Sequence, residues 1–167
     1  MKRCHRFQKG FTLIELLIVL AIIGVLASFV FSSVNQARES ARIAKAEIEV
    51  DQLRRAIELL VDDTGQWPGH KEVDEKESVS SNEIWDLTTP EAGLLATDGL
   101  YPNWRGPYIR TIFDDPWGNN YFFDTDYDFD LGEEEDWGVA VGSFGPNGVG
   151  QNVYDSDNII ETFISGQ

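Results

Sequence analysis

The sequence is nearly devoid of cysteine and histidine, so few of its side chains could form disulfide bonds or take part in nucleophilic catalysis. Its single cysteine, Cys4, stands among the first ten residues, so no disulfide can form within one chain. One of the two histidines, His5, lies in the same segment, and no nucleophile motif or phosphate-binding glycine loop accompanies the other, His70. We predict a protein that is not an enzyme. A hydrolase using a carboxylate pair is the alternative, although acids are too abundant here for any pair to stand out.

Basic residues are scarce beyond residue 55. Residues 1–55 contain nine Lys and Arg against five Asp and Glu, a net charge of +4, whereas residues 56–167 contain four against twenty-four, a net charge of −20. The two values add up to the −16 of the whole chain. An acidic surface repels nucleic acid and attracts cations. We therefore predict no nucleic-acid partner.

Charge is almost absent from residues 11–31, where Glu15 is the only ionisable side chain. About 20 apolar residues suffice to cross a bilayer as a helix, and four basic residues with no acidic one precede the run, which predicts a cytoplasmic N-terminus. A cleaved secretory signal would have a shorter apolar run and a small-residue cleavage site. A plain signal anchor fits the hydropathy but leaves Glu15 unexplained, because a carboxylate in lipid costs about 2.5–3.5 kcal/mol.

Proline and glycine are missing from residues 33–63, so the helix is predicted to continue beyond the apolar run. Apolar residues recur there in steps of mostly three and four, which predicts one stripe facing a partner: Val34, Ala37, Ala41, Ala44, Ile48, Val50, Leu53, Ile57 and Leu60. Thr64 and Gly65 supply a stop signal. One helix over residues 11–63 is favoured over a separate anchor followed by a short amphipathic helix.

The start of the apolar run carries a specific motif. Residues 9–16, Lys-Gly-Phe-Thr-Leu-Ile-Glu-Leu, resemble the prepilin processing motif of type IV pilins and type II secretion pseudopilins. The resemblance implies that a membrane peptidase cleaves after Gly10 and N-methylates Phe11. It also implies that Glu15 meets the amino terminus of a neighbouring subunit inside a filament, where the opposite charges offset much of the burial cost.

A second resemblance lies in the middle of the chain. Residues 104–109 and 114–121 are similar to the signature of major pseudopilins, a turn followed by a strand. Pro116 fixes a backbone angle in the turn, while Gly118 and Asn119 tolerate the left-handed region. A strand is predicted to begin at residues 121–123 and another to return over residues 137–143. The expected fold class is α+β, a type IV pilin-like fold in which a long N-terminal helix packs on a small antiparallel sheet.

Two acidic segments are candidate cation sites. In residues 124–136, acids from Asp124 to Glu135 fall at positions 1, 3, 5 and 12 of a helix–loop–helix calcium loop, but Phe129 stands where that loop needs glycine. Tyr127 and Phe129 alternate with the acids as in a strand with one wet face. A solvated hairpin is favoured over a calcium loop there.

The other segment, residues 143–159, is similar to the C-terminal calcium loop of the major pseudopilins. The resemblance implies a Ca²⁺ site with side-chain ligands Asp155 and Asp157 and a carbonyl ligand at Phe144. Asn147 stands where the family commonly has Asp, so one charge is missing from the ligand set. The alternative is a turn-rich loop with scattered acids, but calcium is favoured.

Together these features predict a leader over residues 1–10, a transmembrane and assembly helix over 11–31, its amphipathic half over 32–65, and a periplasmic globular domain over 66–167. The resemblance implies a structural subunit of a type II secretion pseudopilus, single-pass in the inner membrane, that assembles into a periplasmic filament. The implied partners are further copies of the chain, minor pseudopilins, the prepilin peptidase, and the inner-membrane assembly platform with its ATPase. The alternatives are a type IV pilus or competence pilin, and a membrane-anchored acidic calcium-binding module or hydrolase.

Overall fold

The computed structural model describes residues 10–73, 82–129 and 137–163. The chain forms two compact units, Met1–Ser40 and Ala41–Gln167. Its regular elements are helix α1 (Leu13–Thr64), strands β1 (Gln66–Trp67), β2 (Lys71–Glu72), β3 (Phe122–Asp128), β4 (Trp137–Ser143) and β5 (Ile159–Thr162), and two short 3₁₀ turns, Pro68–His70 and Pro90–Ala92. The predicted domain boundaries at residues 10, 31 and 65 stay predictions.

Helix α1 is a single element of 52 residues, as the absence of proline and glycine breakers predicts. It ends at Thr64 because Gly65 adopts a left-handed φ of +72° and donates its N–H to the carbonyl of Val61 at 2.7 Å. Among the described residues α1 is the one helix long and apolar enough to cross a membrane, a statement about length and composition alone. The alternative of two separate helices is wrong.

The apolar positions of α1 form two stripes rather than the single predicted one. Its own domain buries one stripe, which consists of Ala46, Val50, Leu53, Ile57 and Leu60. The earlier positions Ala41, Ala44 and Ile48 are exposed. The reason is the two-residue step from Ile48 to Val50, which turns about 200° around a helix of 3.6 residues per turn. The prediction of one continuous partner-facing stripe is therefore wrong.

The main sheet has three antiparallel strands in the order β3-β4-β5. Phe122 lies opposite Gly142, and a bulge separates Asp124 from Tyr127. An isolated bridge from Ile84 to Phe123 continues the pairing on the free edge of β3. Strands β1 and β2 form a small hairpin. The predicted strands at residues 121–123 and 137–143 are confirmed.

The core lies between the buried stripe of α1 and the inner face of the sheet. Leu53, Ile57 and Leu60 share one apolar cluster with Phe123 and Val141. Burying a side chain of this size contributes about 1.5–3 kcal/mol. A second cluster on the other face of the sheet joins Phe122, Tyr127 and Ala140, with Phe144 and Tyr154 of the C-terminal loop packed against it.

The acidic segment begins as a strand and not as a calcium loop. Asp124, Asp126 and Asp128 all lie in β3, and the strand that follows is β4, so the helix–loop–helix interpretation is wrong; Glu133, Glu134 and Glu135 lie outside the described residues. The hairpin is confirmed, and its predicted wet face holds at Asp126 and Asp128, which are partly exposed, but fails at Asp124. Asp124 is fully buried, because Tyr154 donates to its Oδ2 at 3.2 Å and the Ile84 segment pairs alongside.

Candidate functional site

The candidate processing motif lies just before α1. Gly10 and Phe11 are exposed and precede the first helical residue, Leu13. The bond between them is therefore in non-helical backbone, and the Phe11 side chain is 83% exposed. A Cβ added at Gly10 would meet no atom within 4 Å. The geometry leaves this bond accessible to another protein.

Glu15 makes a reciprocal cap with Thr12 at the start of α1. The backbone N–H and the hydroxyl of Thr12 donate to Glu15 Oε2 at 2.9 and 2.8 Å, and the N–H of Glu15 donates to Thr12 Oγ1 at 3.3 Å. This is a capping box, which satisfies backbone donors that a helix start leaves unpaired. Sequence reasoning missed this role, although Thr-x-x-Glu before an apolar run is its signal.

A buried carboxylate that sequence reasoning also missed organises the turn at residues 114–119. Asp115 is 4% exposed, and its Oδ1 accepts the N–H groups of Trp117 and Asn119 at 3.0 and 2.8 Å. Its Oδ2 accepts the hydroxyl of Ser143 at 2.5 Å, which ties the turn to the end of β4. An aspartate followed by Pro-x-Gly is the available signal, because Asp side chains accept from backbone two residues ahead.

The predicted left-handed residues of that turn are only partly correct. Gly118 has a φ of +92°, as predicted, but Asn119 is not among the residues with positive φ. Asn119 instead lies close to Gly148, where an added Cβ would come within 3.3 Å of the Asn119 amide. The turn and the C-terminal loop therefore pack side by side.

In the C-terminal loop, residues 144–158, two side chains of the predicted calcium site, Asn147 and Asp155, contact each other. The Asn147 amide nitrogen donates to Asp155 Oδ2 at 2.8 Å, and Asp155 Oδ1 accepts the N–H of Asp157 at 2.9 Å. The Asn147 amide oxygen accepts the N–H of Val149 at 2.8 Å. Asn147 and Asp155 thus form a direct polar bridge across the loop.

Two glycines allow the loop to close on itself. Gly145 has a φ of +68°, and a Cβ there would lie 1.8 Å from the carbonyl oxygen of Asp157. The ring of Phe144 occupies the space that a Cβ of Gly150 would need, at 1.9 Å. Phe144 also stacks on Phe122 with ring centroids 4.8 Å apart. The backbone that follows Phe144 therefore contacts the backbone of Asp157 directly.

The donor set of this loop fits a hard cation in type. Its side chains offer carboxylate and amide oxygens, and Ca²⁺ takes six to eight oxygen ligands from carboxylates, carbonyls and water. No group of three or more acidic, histidine or cysteine side chains suitable for a metal occurs in the described part of the chain, so only Asp155 and Asp157 supply charge. Rotation of the Asn147 amide by 180° would turn its oxygen toward Asp155, at the loss of the hydrogen bond from the Val149 N–H.

Known proteins are similar to this chain in its N-terminal motif and over most of its length. The family model for the prokaryotic N-terminal methylation motif matches residues 5–31. The type II secretion system core protein G of Vibrio cholerae is 32% identical over 127 residues, which cover 72% of this chain and 73% of that protein. The chain belongs to the type II secretion system core protein G family. The Klebsiella pneumoniae member is 29% identical over 158 residues, covering 90% of this chain and 94% of its own.

A fimbrial protein and a solved structure are also similar to this chain. A probable minor fimbrial protein of Dichelobacter nodosus is 36% identical over 107 residues, covering 62% of this chain and 65% of that protein. The crystal structure of the major pseudopilin from the type 2 secretion system of enterohaemorrhagic Escherichia coli matches with a TM-score of 0.46 and 22% identity, covering 75% of this chain and 86% of that chain. The methylation motif and the apolar half of α1 fit a membrane-anchored pseudopilin.

Proposed function

We propose that the chain is a structural subunit of a type II secretion pseudopilus and has no catalytic activity. The observation that carries this proposal is the motif from Gly10 to Glu15 at the start of an unbroken 52-residue helix. Over residues 13–26 and 28–31 the helix is exposed on all sides, and its side chains there are apolar except for Glu15 and Ser28. A globular domain has no use for such a surface, whereas a membrane and then a bundle of identical helices would cover it.

Maturation is expected to begin with cleavage after Gly10 by the prepilin peptidase on the cytoplasmic side. The exposed non-helical backbone at Gly10 and Phe11 supports this step. Cleavage creates an amino group at Phe11, which the same peptidase is expected to methylate. The domain beyond α1 would then stand in the periplasm, since the basic leader keeps the N-terminus cytoplasmic.

Filament growth is expected to add subunits at the inner membrane through their helices. The assembly platform and its ATPase would supply the work, with minor pseudopilins as further partners. Glu15 is expected to pair with the Phe11 amino group of a neighbouring copy. A lone carboxylate in the bundle would be costly, and so this pair would favour the correct register.

The mass of the protein extracted from membranes tests processing. We expect loss of residues 1–10 and gain of one methyl group on Phe11 in cells that contain the peptidase. Gly10→Val is the matched variant, because a side chain at Gly10 meets no other atom, so it should fold normally and remain uncut. A wild-type chain that keeps Met1 would overturn the proposal.

Two substitutions at Glu15 separate the charge from the cap. Glutamine also completes a capping box, so Glu15→Gln should keep the cap and lose only the charge, whereas Glu15→Ala loses both. Both variants are expected to be processed and inserted, and both should assemble few filaments by electron microscopy. Normal filaments from Glu15→Gln would show that the cap is sufficient and that no charge pairing is needed.

A type IV pilus subunit is the second candidate function, favoured by the identity with the fimbrial protein. The two functions differ in what a deletion removes. A pseudopilus subunit is needed for export of folded enzymes through the outer membrane, and a pilus subunit for surface fibres. Loss of surface fibres with intact enzyme secretion would support the pilus function.

We further infer that the C-terminal loop binds Ca²⁺ through the Asp155 and Asp157 carboxylates and the Phe144 carbonyl. Asn147 would supply a neutral oxygen at most. The close contact of Gly145 with Asp157 supports this inference, because it holds both arms of the loop within one site. A bound cation would add to the amide–carboxylate bridge that joins Asn147 and Asp155 across the loop.

Thermal unfolding of the full chain in detergent, with and without chelator, tests the calcium site. A ligand at a hundredfold excess over its dissociation constant stabilises the folded state by about 2.7 kcal/mol, so chelation should lower the melting temperature. Asp157→Ala should melt like the chelated wild type and no longer respond to calcium. Ser156→Ala is the matched control on the same turn. An unchanged melting temperature in chelator would remove the calcium site.

A further inference from the structure

One asparagine of the C-terminal loop stands directly before a glycine. Of the eight asparagines in the chain, Asn147 is the only one that a glycine follows. The following residue decides whether an asparagine side chain can react with the backbone, because a side chain on that residue crowds its nitrogen, and glycine has none. Asn147 and Gly148 are both exposed. Sequence and exposure therefore single out the Asn147 amide and the Gly148 backbone nitrogen as a reactive pair.

Two hydrogen bonds hold the Asn147 amide by its edges. Its oxygen accepts the N–H of Val149 at 2.8 Å, and its nitrogen donates to Asp155 Oδ2 at 2.8 Å. Such hydrogen bonds lie near the plane of the amide, so they leave open the faces from which a nucleophile reaches Cγ. The Val149 N–H also points at the oxygen that gains negative charge when Cγ is attacked, and donors placed in this way stabilise the oxyanion of acyl transfer.

The nucleophile lies in an exposed turn. Residues 145–148 form this turn, and the Gly148 N–H donates to the carbonyl of Gly145 at 3.2 Å, which is the long end of the range for such a bond. This bond must open before the Gly148 nitrogen can react, and exposed loops open at little cost in free energy. Gly148 has a φ of +63°, and a Cβ there would lie 3.3 Å from the Asn119 amide nitrogen, so the turn suits a residue without a side chain.

We propose that Asn147 is a site of spontaneous deamidation, and that the aspartate formed there joins Asp155 and Asp157 as a third carboxylate of the calcium loop. The part of this inference that concerns calcium rests on the proposed calcium site. The part that concerns deamidation rests only on the geometry of the Asn147–Gly148 pair, and water is its one co-reactant.

The reaction exchanges an amide for an acid. The Gly148 nitrogen forms a bond to Asn147 Cγ and gives up its proton, the bond from Cγ to Nδ2 breaks, and ammonia leaves with that proton. The product is a five-membered cyclic imide. Water then opens the ring. Addition of water at Cγ yields aspartate, and addition at the main-chain carbonyl yields isoaspartate, whose main chain is longer by one carbon.

The new charge changes what holds the loop together. The Asn147 amide donates to Asp155, whereas an aspartate in its place cannot donate and its charge repels that of Asp155. A divalent cation between the two carboxylates removes the repulsion, and carboxylates are ligands that Ca²⁺ favours. Deamidation therefore converts a loop closed by a hydrogen bond into one that depends on calcium.

Peptide mass spectrometry of the full chain, purified and incubated in detergent, tests the reaction. We expect the mass gain of an amide-to-acid change at Asn147. The gain should rise with time and be faster at mildly alkaline than at mildly acidic pH, because ring closure needs a deprotonated Gly148 nitrogen. Asn152 is the internal control, since it is exposed on the same loop but precedes Val153. No gain at Asn147, or an equal gain at Asn152, would overturn the site.

Two variants each alter one of the reacting groups. Gly148→Ala keeps the Asn147 amide but crowds the nucleophile, and Asn147→Gln keeps an amide whose ring would be larger by one atom. Both should lose most of the product. Gly148→Ala places a side chain at a positive φ, so its melting temperature must show that it folds. Asn147→Gln carries no such strain, and product from it at the wild-type rate would refute attack by the Gly148 nitrogen.

Melting temperatures of the converted chains test the consequence for calcium. Ion exchange separates these chains, because each carries one more negative charge. In chelator they should melt below the unconverted chains, and calcium should raise their melting temperature by the larger amount. Asn147→Asp contains the aspartate from the outset and is the reference. An enzyme that methylates isoaspartate identifies the chains with the longer main chain, and conversion to isoaspartate alone would overturn the third-carboxylate role.

The outcomes separate this inference from the proposed calcium site. Equal calcium shifts in converted and unconverted chains would also overturn the third-carboxylate role. No calcium response in either kind of chain would remove the proposed calcium site and leave deamidation at Asn147 standing. A calcium response without deamidation would overturn this inference alone.

Discussion

The Asp115 turn and the C-terminal loop use the same device in different surroundings. In each, one carboxylate accepts the N–H of the residue two positions ahead and a donor from another segment. For Asp115 the second donor is the Ser143 hydroxyl, and for Asp155 it is the Asn147 amide. Asp115 and Ser143 are buried, however, whereas Asp155 is partly exposed and Asn147 is exposed.

Burial decides how much each carboxylate contributes. Donors left without an acceptor in the interior carry their full desolvation cost, about 1–3 kcal/mol each, while donors at the surface turn to water. The buried hydrogen bonds to Asp115 therefore hold this turn in place. The C-terminal loop keeps exposed carboxylate and amide oxygens, so a bound cation would add to the stability of this loop.

The largest expected effect is from Asp115→Ala. It removes the acceptor for the Trp117 and Asn119 N–H groups and for the buried Ser143 hydroxyl, so we expect a loss on the order of 3–5 kcal/mol in the free energy of unfolding. Urea denaturation of the full chain in detergent measures it. Asp155→Ala in chelator is the comparison, and an equal loss there would contradict the role assigned to burial.

The next largest effect is expected from a change of pH, which alters the charge of Asp124, the carboxyl group that Tyr154 of the C-terminal loop contacts. Burial, with Asp126 and Glu83 nearby, raises the pKa of Asp124 to about 7 from an ordinary value of 3.8. Because the folded state binds this proton more tightly than the unfolded state, the contribution of Asp124 to stability is highest below about pH 4 and falls as the pH rises to about 7. Asp124→Asn still offers an oxygen to Tyr154 and cannot ionise.

The difference in unfolding free energy between Asp124→Asn and wild type, measured across this pH range, should shift in favour of the variant by a few kcal/mol. Asp128→Asn, on the same strand but only partly buried, is the control. A difference that stays constant from pH 4 to pH 8 would mean that Asp124 titrates normally.

The smallest effect is expected at Asn147, and its sign depends on calcium. Asn147→Asp loses the bridge to Asp155 and puts two carboxylates side by side, so it should destabilise the chelated protein by about 1 kcal/mol. With calcium present the added charge should reverse the effect and tighten binding. Asn147→Ala loses the bridge without adding charge. Calorimetric titration with calcium, and melting temperatures in calcium and in chelator, distinguish Asn147→Asp from Asn147→Ala. Destabilisation by Asn147→Asp in calcium would argue against the site.

Most of the chain's architecture could be predicted from local pattern. The long helix, its end at Thr64, the strand after the Asp-Pro-Trp-Gly turn and the hairpin all follow from periodicity and from breaker residues close in sequence. Three features could not. Which of the two stripes of α1 is buried depends on which turns the domain covers, and the burial of Asp124 depends on Tyr154, 30 residues away. The role of Asp115 depends on Ser143, 28 residues away.

The sequence by itself determined the processing motif, the apolar run, the continuity of α1 and the acidic charge of residues 56–167, because each is a property of neighbouring residues. Only the tertiary structure decided which face of α1 stays bare, which carboxylates are removed from water, and that Asn147 meets Asp155. These depend on contacts between distant segments, and the free energy of a charge or an apolar surface is set by what packs against it.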